Sequence, residues 1–165
     1  MTGREAIQTA LENTQKSLNW FLSDFTDADM LVRPVPGANH AAWQVGNVIG
    51  GDVGLISSEM PDAKYPSLPP GFADLHGGSA GAKQEGPEGF LAKDEYLKLF
   101  NAVRAATVAA LNTLTDADLD RPCTGKYKDF APTLGKMFLM VSDHTTMHSG
   151  QFSVIRRKLG KPVLF

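Results

Sequence analysis

His144 and His148 are the two side chains of this sequence whose spacing points most directly to metal chemistry. They are four residues apart, so in a helix both imidazoles project from one face, about one turn apart. Two imidazoles placed in this way can bind one cation such as Zn²⁺, Ni²⁺ or Fe²⁺. The residue after His144 is Thr145 rather than glutamate, so the pattern does not predict a zinc protease.

Both histidines also lie on the apolar stripe of their predicted helix. The other members of this stripe are Met137, Val141, Phe152, Ile155 and Leu159. A buried imidazole without a hydrogen-bond partner costs free energy, so each ring needs a metal, a chain of waters or hydrogen-bonding side chains. The spacing alone leaves these alternatives open.

A second unusual segment lies between residues 39 and 58, where an apolar helical pattern carries four glycines. They are Gly46, Gly50, Gly51 and Gly54, and each costs about 1 kcal/mol relative to alanine inside a helix. The last three share one helix face with Trp43 and Asn47. Such a face either admits close packing of another helix or leaves room for a ligand, and both interpretations remain open.

Four stretches have the periodicity of amphipathic helices, and no stretch alternates like a strand for long. The helices are predicted at residues 4–24, 40–58, 93–114 and 133–160. Asn39 and Thr133 are suitable N-caps for the second and fourth helices, and Gly160 and Pro162 end the fourth. The connection at 59–92 is rich in proline and glycine and cannot be one regular element. In a four-helix bundle, such a crossover lets the second and third helices run parallel.

The chain also contains a weak internal repeat. The string Thr-Asp-Ala-Asp occurs at residues 26–29 and again at 115–118, and Arg-Pro follows each copy within four residues. The string is common in turns and helix caps. It also fits two helix-loop-helix halves, each of which packs its second helix into a shared centre.

Composition limits the class of protein. A chain of 165 residues, of which 42% are hydrophobic, can bury a core, and we expect a single all-α domain over residues 1–165. The net charge of −2 argues against binding nucleic acid by charge alone.

No apolar run is long enough to span a bilayer, and the polar segment 1–10 does not resemble a secretion signal. Cys123 is the single cysteine, which excludes an internal disulfide and a cysteine-rich zinc site. A cytoplasmic protein is expected.

Two of these segments carry a family resemblance. Residues 43–48 read Trp-Gln-Val-Gly-Asn-Val, and residues 144–151 read His-Thr-Thr-Met-His-Ser-Gly-Gln, followed by Arg156 and by Leu-Gly at 159–160. They are similar to the first and last motifs of the DinB/YfiT-like family of metal-dependent four-helix-bundle proteins, and the two acidic strings ending in Arg-Pro fit as well. The resemblance covers nearly the whole chain in the order of its elements.

The resemblance implies a four-helix bundle in an up-down-down-up arrangement, often as a dimer. It implies a divalent metal held by three histidines, one on the second helix and two on the fourth. His144 and His148 match the last two positions, whereas Asn47 stands at the first. Because an amide oxygen is a poor ligand for Zn²⁺ or Ni²⁺ beside imidazole, the predicted site of His144, His148 and Asn47 holds its zinc or nickel weakly or has lost it.

Three other residues could supply the missing ligand. His40 lies seven residues before Asn47, on the same face but about 10 Å away along the helix. Asp52 lies roughly 140° around the helix from Asn47, which makes it a weak substitute. His76 sits in the long connection and could fold over the mouth of the bundle as a third ligand.

The sequence therefore supports two main functional hypotheses and leaves open whether the protein is an enzyme. In the first, the resemblance implies a metal-dependent transferase that acts on small thiol-linked substrates. In the second, the chain has lost its metal and binds a small ligand or serves as a dimeric interaction protein. A third interpretation places Gly50, Gly51 and Gly54 at a helix–helix dimer contact. A small-molecule ligand and a homodimer are expected as partners, and neither nucleic acid nor a membrane is.

Overall fold

The structure is a computed structural model that describes residues 1–84 and 86–164, with only the backbone of Ala80. The regular elements in these residues are helices, which confirms the predicted all-α class. In chain order they are α1 (Gly3–Leu22), α2 (Asp27–Met30), α3 (Ala41–Ser57), α4 (Phe72–Gly77), α5 (Ser79–Lys83), α6 (Lys93–Asn112), a short 3₁₀ turn (Ala117–Asp120) and α7 (Leu134–Lys158). The four long helices match the four predicted stretches to within two residues at each end.

Helix caps explain where the long helices begin. Thr2 starts α1 with a reciprocal cap to Glu5, and the Thr133 hydroxyl accepts from the Lys136 amide at the start of α7. The predicted cap of α3 at Asn39 is wrong, because His40 holds that position and its Nδ1 accepts from the Trp43 amide at 3.1 Å. A side-chain acceptor in this place satisfies one of the free amides of the first turn.

The long helices pack so that the faces predicted to carry the site meet. Both α1 and α3 contact α6 and α7. Apolar side chains fill the space between them, among them Leu18, Val45, Phe100, Phe138 and Phe152, and each of these is fully buried. The contact between α3 and α7 brings the glycine-bearing helix against the helix with the two histidines.

The repeated Thr-Asp-Ala-Asp string makes the same local contact in both places. Thr26 and Asp29 exchange hydrogen bonds between side chain and backbone, and Thr115 and Asp118 do the same. The first copy caps α2 and the second begins the 3₁₀ turn, so each precedes a helix of the central α3–α7 pair. Its role as a capping string is therefore visible in the structure.

The long connection between α3 and α6 contains two short helices. We call residues 72–84, which hold α4 and α5, the strap. Phe72 of the strap is buried in the core, and α4 contacts α3. The Arg33 guanidinium donates to the carbonyl oxygens of Ala82 and Gln84 at 2.7 and 2.8 Å. The strap is thus tied at both ends to the rest of the fold.

None of the helices in the described part of the chain is long and apolar enough to cross a membrane.

Candidate metal centre

Three side chains from α3 and α7 converge between the two helices. The Nε2 atoms of His144 and His148 are 3.2 Å apart, and Asn47 Oδ1 lies 3.1 Å from His144 Nε2. The spacing of the two histidines along α7 and the contact between α3 and α7 produce this cluster. The structure therefore brings together all three residues that the sequence predicts as ligands.

Gln44 fixes the orientation of His148. The amide nitrogen of Gln44 donates to the Asn39 carbonyl at 2.7 Å, so its Oε1 faces His148 Nδ1 at 3.0 Å. An oxygen acceptor requires the proton on Nδ1, and the lone pair of the neutral ring is then on Nε2, where it faces the cluster. Burial, and after it the nearby His144, lowers the pKa of His148 to about 4, so this ring is neutral at pH 7.

The backbone of the strap fixes the orientation of Asn47. Its Nδ2 donates to the carbonyl oxygen of His76 at 2.7 Å. The other end of the amide, Oδ1, is thereby turned toward His144. The α3 helix thus contributes an oxygen acceptor rather than an N–H donor to the cluster.

A glycine makes room for His144. A Cβ atom at Gly51 would lie 2.7 Å from His144 Nδ1 and 2.9 Å from Cε1, which is closer than such atoms approach. The Nδ1 atom is buried and has no hydrogen-bond partner in the described structure. Burial, with a smaller contribution from the Arg104 charge, lowers the pKa of His144. The ring is therefore held against α3 as a neutral imidazole.

The cluster is a set of three electron-pair donors that face one another. When both rings are neutral, the His148 proton is on Nδ1, so only the His144 proton can lie among the three atoms. The remaining lone pairs are directed at a common point. Two nitrogens bound to a tetrahedral zinc ion at 2.0–2.1 Å are about 3.4 Å apart, close to the observed 3.2 Å. The residues fit a divalent cation.

The donor set is nevertheless weaker than three histidines. Within residues 1–84 and 86–164, no group of three or more His, Cys, Asp or Glu side chains is placed to hold a metal ion. The third position of the cluster is the neutral oxygen of Asn47, which binds Zn²⁺ and Ni²⁺ less well than imidazole does.

A cleft of about 850 Å³ opens beside the cluster. His144, Asn47 and the glycines of α3 line the cleft on one side. Its apolar lining residues are Leu55, Phe72, Tyr127, Met140 and Met147.

Glu59 holds one rim of the cleft in place, because its carboxylate accepts from the backbone amides of Thr124 and Gly125. This loop carries Lys126 and Tyr127 to the cleft, where the Lys126 ammonium lies 4.6 Å from the Tyr127 ring centre.

The comparison with family models matches the DinB superfamily over residues 10–152. The chain belongs to the DinB superfamily. Among solved structures, the fold is similar to a crystal structure described as a conserved protein from Enterococcus faecalis, with a TM-score of 0.75, 19% sequence identity, and coverage of 98% of this chain and 99% of the other. At this identity the likeness concerns the fold alone. A comparison with curated proteins found no match.

His40 and His76 do not join the cluster of this DinB-superfamily chain. His40 is the N-cap of α3 and lies edge-on to Phe90, with ring centres 4.7 Å apart. His76 lies against Gly46 of α3, but both of its ring nitrogens are hydrogen-bonded to other groups. Its Nδ1 is 2.8 Å from the Phe72 carbonyl and its Nε2 is 2.6 Å from the Tyr96 hydroxyl.

Asp52 is also not a substitute ligand, because it pairs with Arg104. The guanidinium of Arg104 uses all five N–H groups: two face the Asp52 carboxylate at 2.9 and 3.3 Å, and the others donate to Leu11 O, Thr14 Oγ1 and Thr145 Oγ1. Both charged side chains are fully buried. Burial raises the pKa of Asp52 to about 6, although Arg104 opposes the rise, so the pair is ionised at pH 7.

Sequence reasoning did not identify Arg104. This side chain joins α1, α3, α6 and α7 at one point, and its partners Asp52 and Thr145 are the chain neighbours of Gly51 and His144. A signal was present, since Arg104 falls on the apolar stripe of the third predicted helix, seven residues before Leu111. A charge in that position indicates a buried partner.

Proposed function

We propose that this DinB-superfamily protein binds one divalent cation through the Nε2 atoms of His144 and His148 and through Asn47 Oδ1. The single observation that carries the proposal is the convergence of these three atoms at 3.1–3.2 Å. The neighbouring contacts support it. Gln44 leaves the Nε2 lone pair of His148 directed at the cluster, and the His76 carbonyl turns the Asn47 oxygen toward the cluster by accepting from Asn47 Nδ2. Zinc or nickel is the expected metal, held more weakly than by three imidazoles.

The proposed activity is transfer chemistry on a small thiol-linked substrate, in keeping with the family resemblance. A bound divalent cation lowers the pKa of a thiol or water that it coordinates. The protein's own residues supply the substrate site, because the cleft reaches His144 and Asn47. Its volume of about 850 Å³ lies within the range of small-molecule sites. Its apolar walls would orient the body of the substrate, while Lys126 lies at the rim.

A second candidate function is metal-free binding of a small ligand in the same cleft. One observation favours it: the described residues include no group of three or more His, Cys, Asp or Glu side chains placed to hold a metal ion. In this case His144 Nε2 donates to Asn47 Oδ1, and the cluster is a hydrogen-bonded wall of the ligand site. The two candidates differ in whether the purified protein takes up metal.

The test is calorimetric titration of tag-free protein with Zn²⁺ and Ni²⁺. We expect one ion per chain in the parent, loss of binding in His148→Ala, and tighter binding in Asn47→His, since a third imidazole would replace the amide oxygen. His40→Asn is the matched control, because it removes another buried histidine of the same region without touching the cluster, and its affinity should equal that of the parent.

Two results would contradict the proposal. The first is the absence of binding in a folded parent, and the second is binding that survives His148→Ala. Metal-free protein that binds small thiols or other ligands in the cleft would instead favour the second candidate.

We also propose the finer points of assembly that the family resemblance implies. The four long helices would form an up-down-down-up bundle with residues 59–92 as the crossover, supported by the packing of α3 on α6. A cytoplasmic homodimer is proposed, supported by two apolar side chains exposed on α7, Leu139 and Val154. Sedimentation analysis of the parent and of Val154→Glu tests the dimer, which the charge should weaken.

A further inference from the structure

We infer that His76 is a positioning residue for the metal centre, and that it acts through its backbone carbonyl on the amide of Asn47. The inference rests on the proposed metal function and concerns why an asparagine can serve as the third ligand. The imidazole of His76 is not a ligand, because Phe72 and Tyr96 occupy both of its nitrogens.

The two ends of an asparagine side chain differ in chemistry. Its oxygen can bind a cation, whereas its NH₂ group has no lone pair to offer and repels one. The two ends have nearly the same shape, so packing alone does not select the oxygen. The hydrogen bond from Asn47 Nδ2 to the His76 carbonyl, at 2.7 Å, makes that selection. If the amide turned over, its oxygen would face the carbonyl oxygen of His76 and its NH₂ group would face His144.

The His76 carbonyl is itself held in place. The ring of His76 is buried and hydrogen-bonded at both nitrogens, to the Phe72 carbonyl at 2.8 Å and to the Tyr96 hydroxyl at 2.6 Å. Phe72 and Phe90 enclose the ring, with centre distances of 4.1 and 5.6 Å. These contacts fix the end of α4 and therefore the direction of its carbonyl.

The strap approaches α3 closely at Gly46. The ring of His76 lies directly over Gly46, where the Cβ of any other residue would overlap the ring atoms. Gly46 is thus needed for His76 to sit where its carbonyl meets Asn47, one residue further along the helix. A glycine in the middle of a helix costs about 1 kcal/mol relative to alanine, and the need to accommodate the His76 ring explains its presence in α3.

A displacement of His76 should therefore weaken metal binding without altering any ligand. Gly46→Ala should displace the His76 ring, release the Asn47 amide and lower Zn²⁺ affinity about tenfold, the scale of effect known for residues that orient metal ligands. Tyr96→Phe, which keeps the ring but removes one hydrogen bond to His76, should weaken binding less. Gly150→Ala is the matched control: it is a helical glycine of α7 with open space at its Cβ, and its Zn²⁺ affinity should equal that of the parent.

A double-mutant cycle with Asn47→Ala separates positioning from a general disturbance of the fold. When Asn47 is absent, Gly46→Ala has no amide left to release, so it should change the residual Zn²⁺ affinity less than twofold. An equal loss of affinity in both backgrounds would overturn the inference, because the effect would then pass through the histidine pair. Unchanged affinity on Gly46→Ala in the presence of Asn47 would overturn it as well.

A metal-free measurement keeps the inference distinct from the proposed function. The side-chain NH₂ signals of Asn47, assigned by their loss in Asn47→Ala, should exchange slowly with solvent in the parent and rapidly in Gly46→Ala. Slow exchange in both proteins would refute the positioning contact. A parent that shows the slow exchange but takes up no Zn²⁺ would refute the metal function, and with it the role of the contact in metal binding.

Discussion

Asp52→Asn tests the buried ion pair that supports the candidate site. The carboxylate of Asp52 accepts two hydrogen bonds from Arg104, at 2.9 and 3.3 Å, and neither side chain is exposed to solvent. Asparagine keeps the shape but has one oxygen, so one arginine N–H group would face an NH₂ group. An unsatisfied buried donor costs about 1–3 kcal/mol, and the guanidinium charge would lose its counterion.

The expected loss in the free energy of unfolding is about 3–5 kcal/mol, the cost of removing one partner from a buried pair. Since a domain of this kind is stable by about 5–15 kcal/mol in all, the effect should be obvious in urea unfolding followed by circular dichroism. Arg104→Met combined with Asp52→Leu should cost less than Asp52→Asn alone, because no charge is then left buried.

Two outcomes would refute this reasoning. A loss below about 1 kcal/mol in Asp52→Asn would mean that water reaches the pair and screens it. A double variant that is much less stable than Asp52→Asn would mean that the other three hydrogen bonds of Arg104, rather than the charge pair, carry the stability.

Two further predictions concern His40 at the start of α3 and one glycine each of α3 and α7. Burial, followed by the charges of Arg33 and His76, lowers the pKa of His40 from 6.5 to about 4. Between pH 6.5 and 4 the unfolded state therefore binds protons more readily than the folded state. The free energy of unfolding should fall as the pH drops through this interval. His40 accounts for up to about 3 kcal/mol of this loss. The variant His40→Asn keeps a cap but does not titrate, so its unfolding free energy should decline less steeply with falling pH. A decline equal to that of the parent would contradict the assignment to His40. Gly150→Ala, with open space at its Cβ, should raise the unfolding free energy by about 1 kcal/mol. Gly51→Ala should not, because its Cβ would press on His144. Equal effects of the two variants in urea unfolding would show that the His144 ring moves away freely.

The elements of the fold could be predicted because their signals are local. Hydrophobic periodicity predicts the four long helices, and the predicted cap Thr133 acts within a few residues of itself. The error at Asn39 was of the same local kind, since the sequence offers two adjacent side chains that can accept from the first turn. The His144 and His148 pair was also local, one turn of a single helix.

The remainder of the site depends on contacts between distant parts of the chain. The Asn47 amide is oriented by a carbonyl 29 residues away, and Arg104 meets Asp52 across 52 residues. The glycines of α3 predict either a packing surface or space for a ligand, and the structure shows them against side chains and beside an open cleft. Gly46 accepts His76, Gly51 accepts His144, and Gly50 and Gly54 line the cleft. Nothing in the spacing of residues within α3 assigns each glycine to its neighbour.

The most direct test of the metal site is anomalous diffraction from crystals of the tag-free protein soaked in Zn²⁺, measured on both sides of the zinc absorption edge. A zinc site predicts one strong anomalous peak per chain, within bonding distance of His144 Nε2, His148 Nε2 and Asn47 Oδ1. The absence of a peak there, or a peak bound by other residues while the two histidines remain hydrogen-bonded to each other, would contradict it.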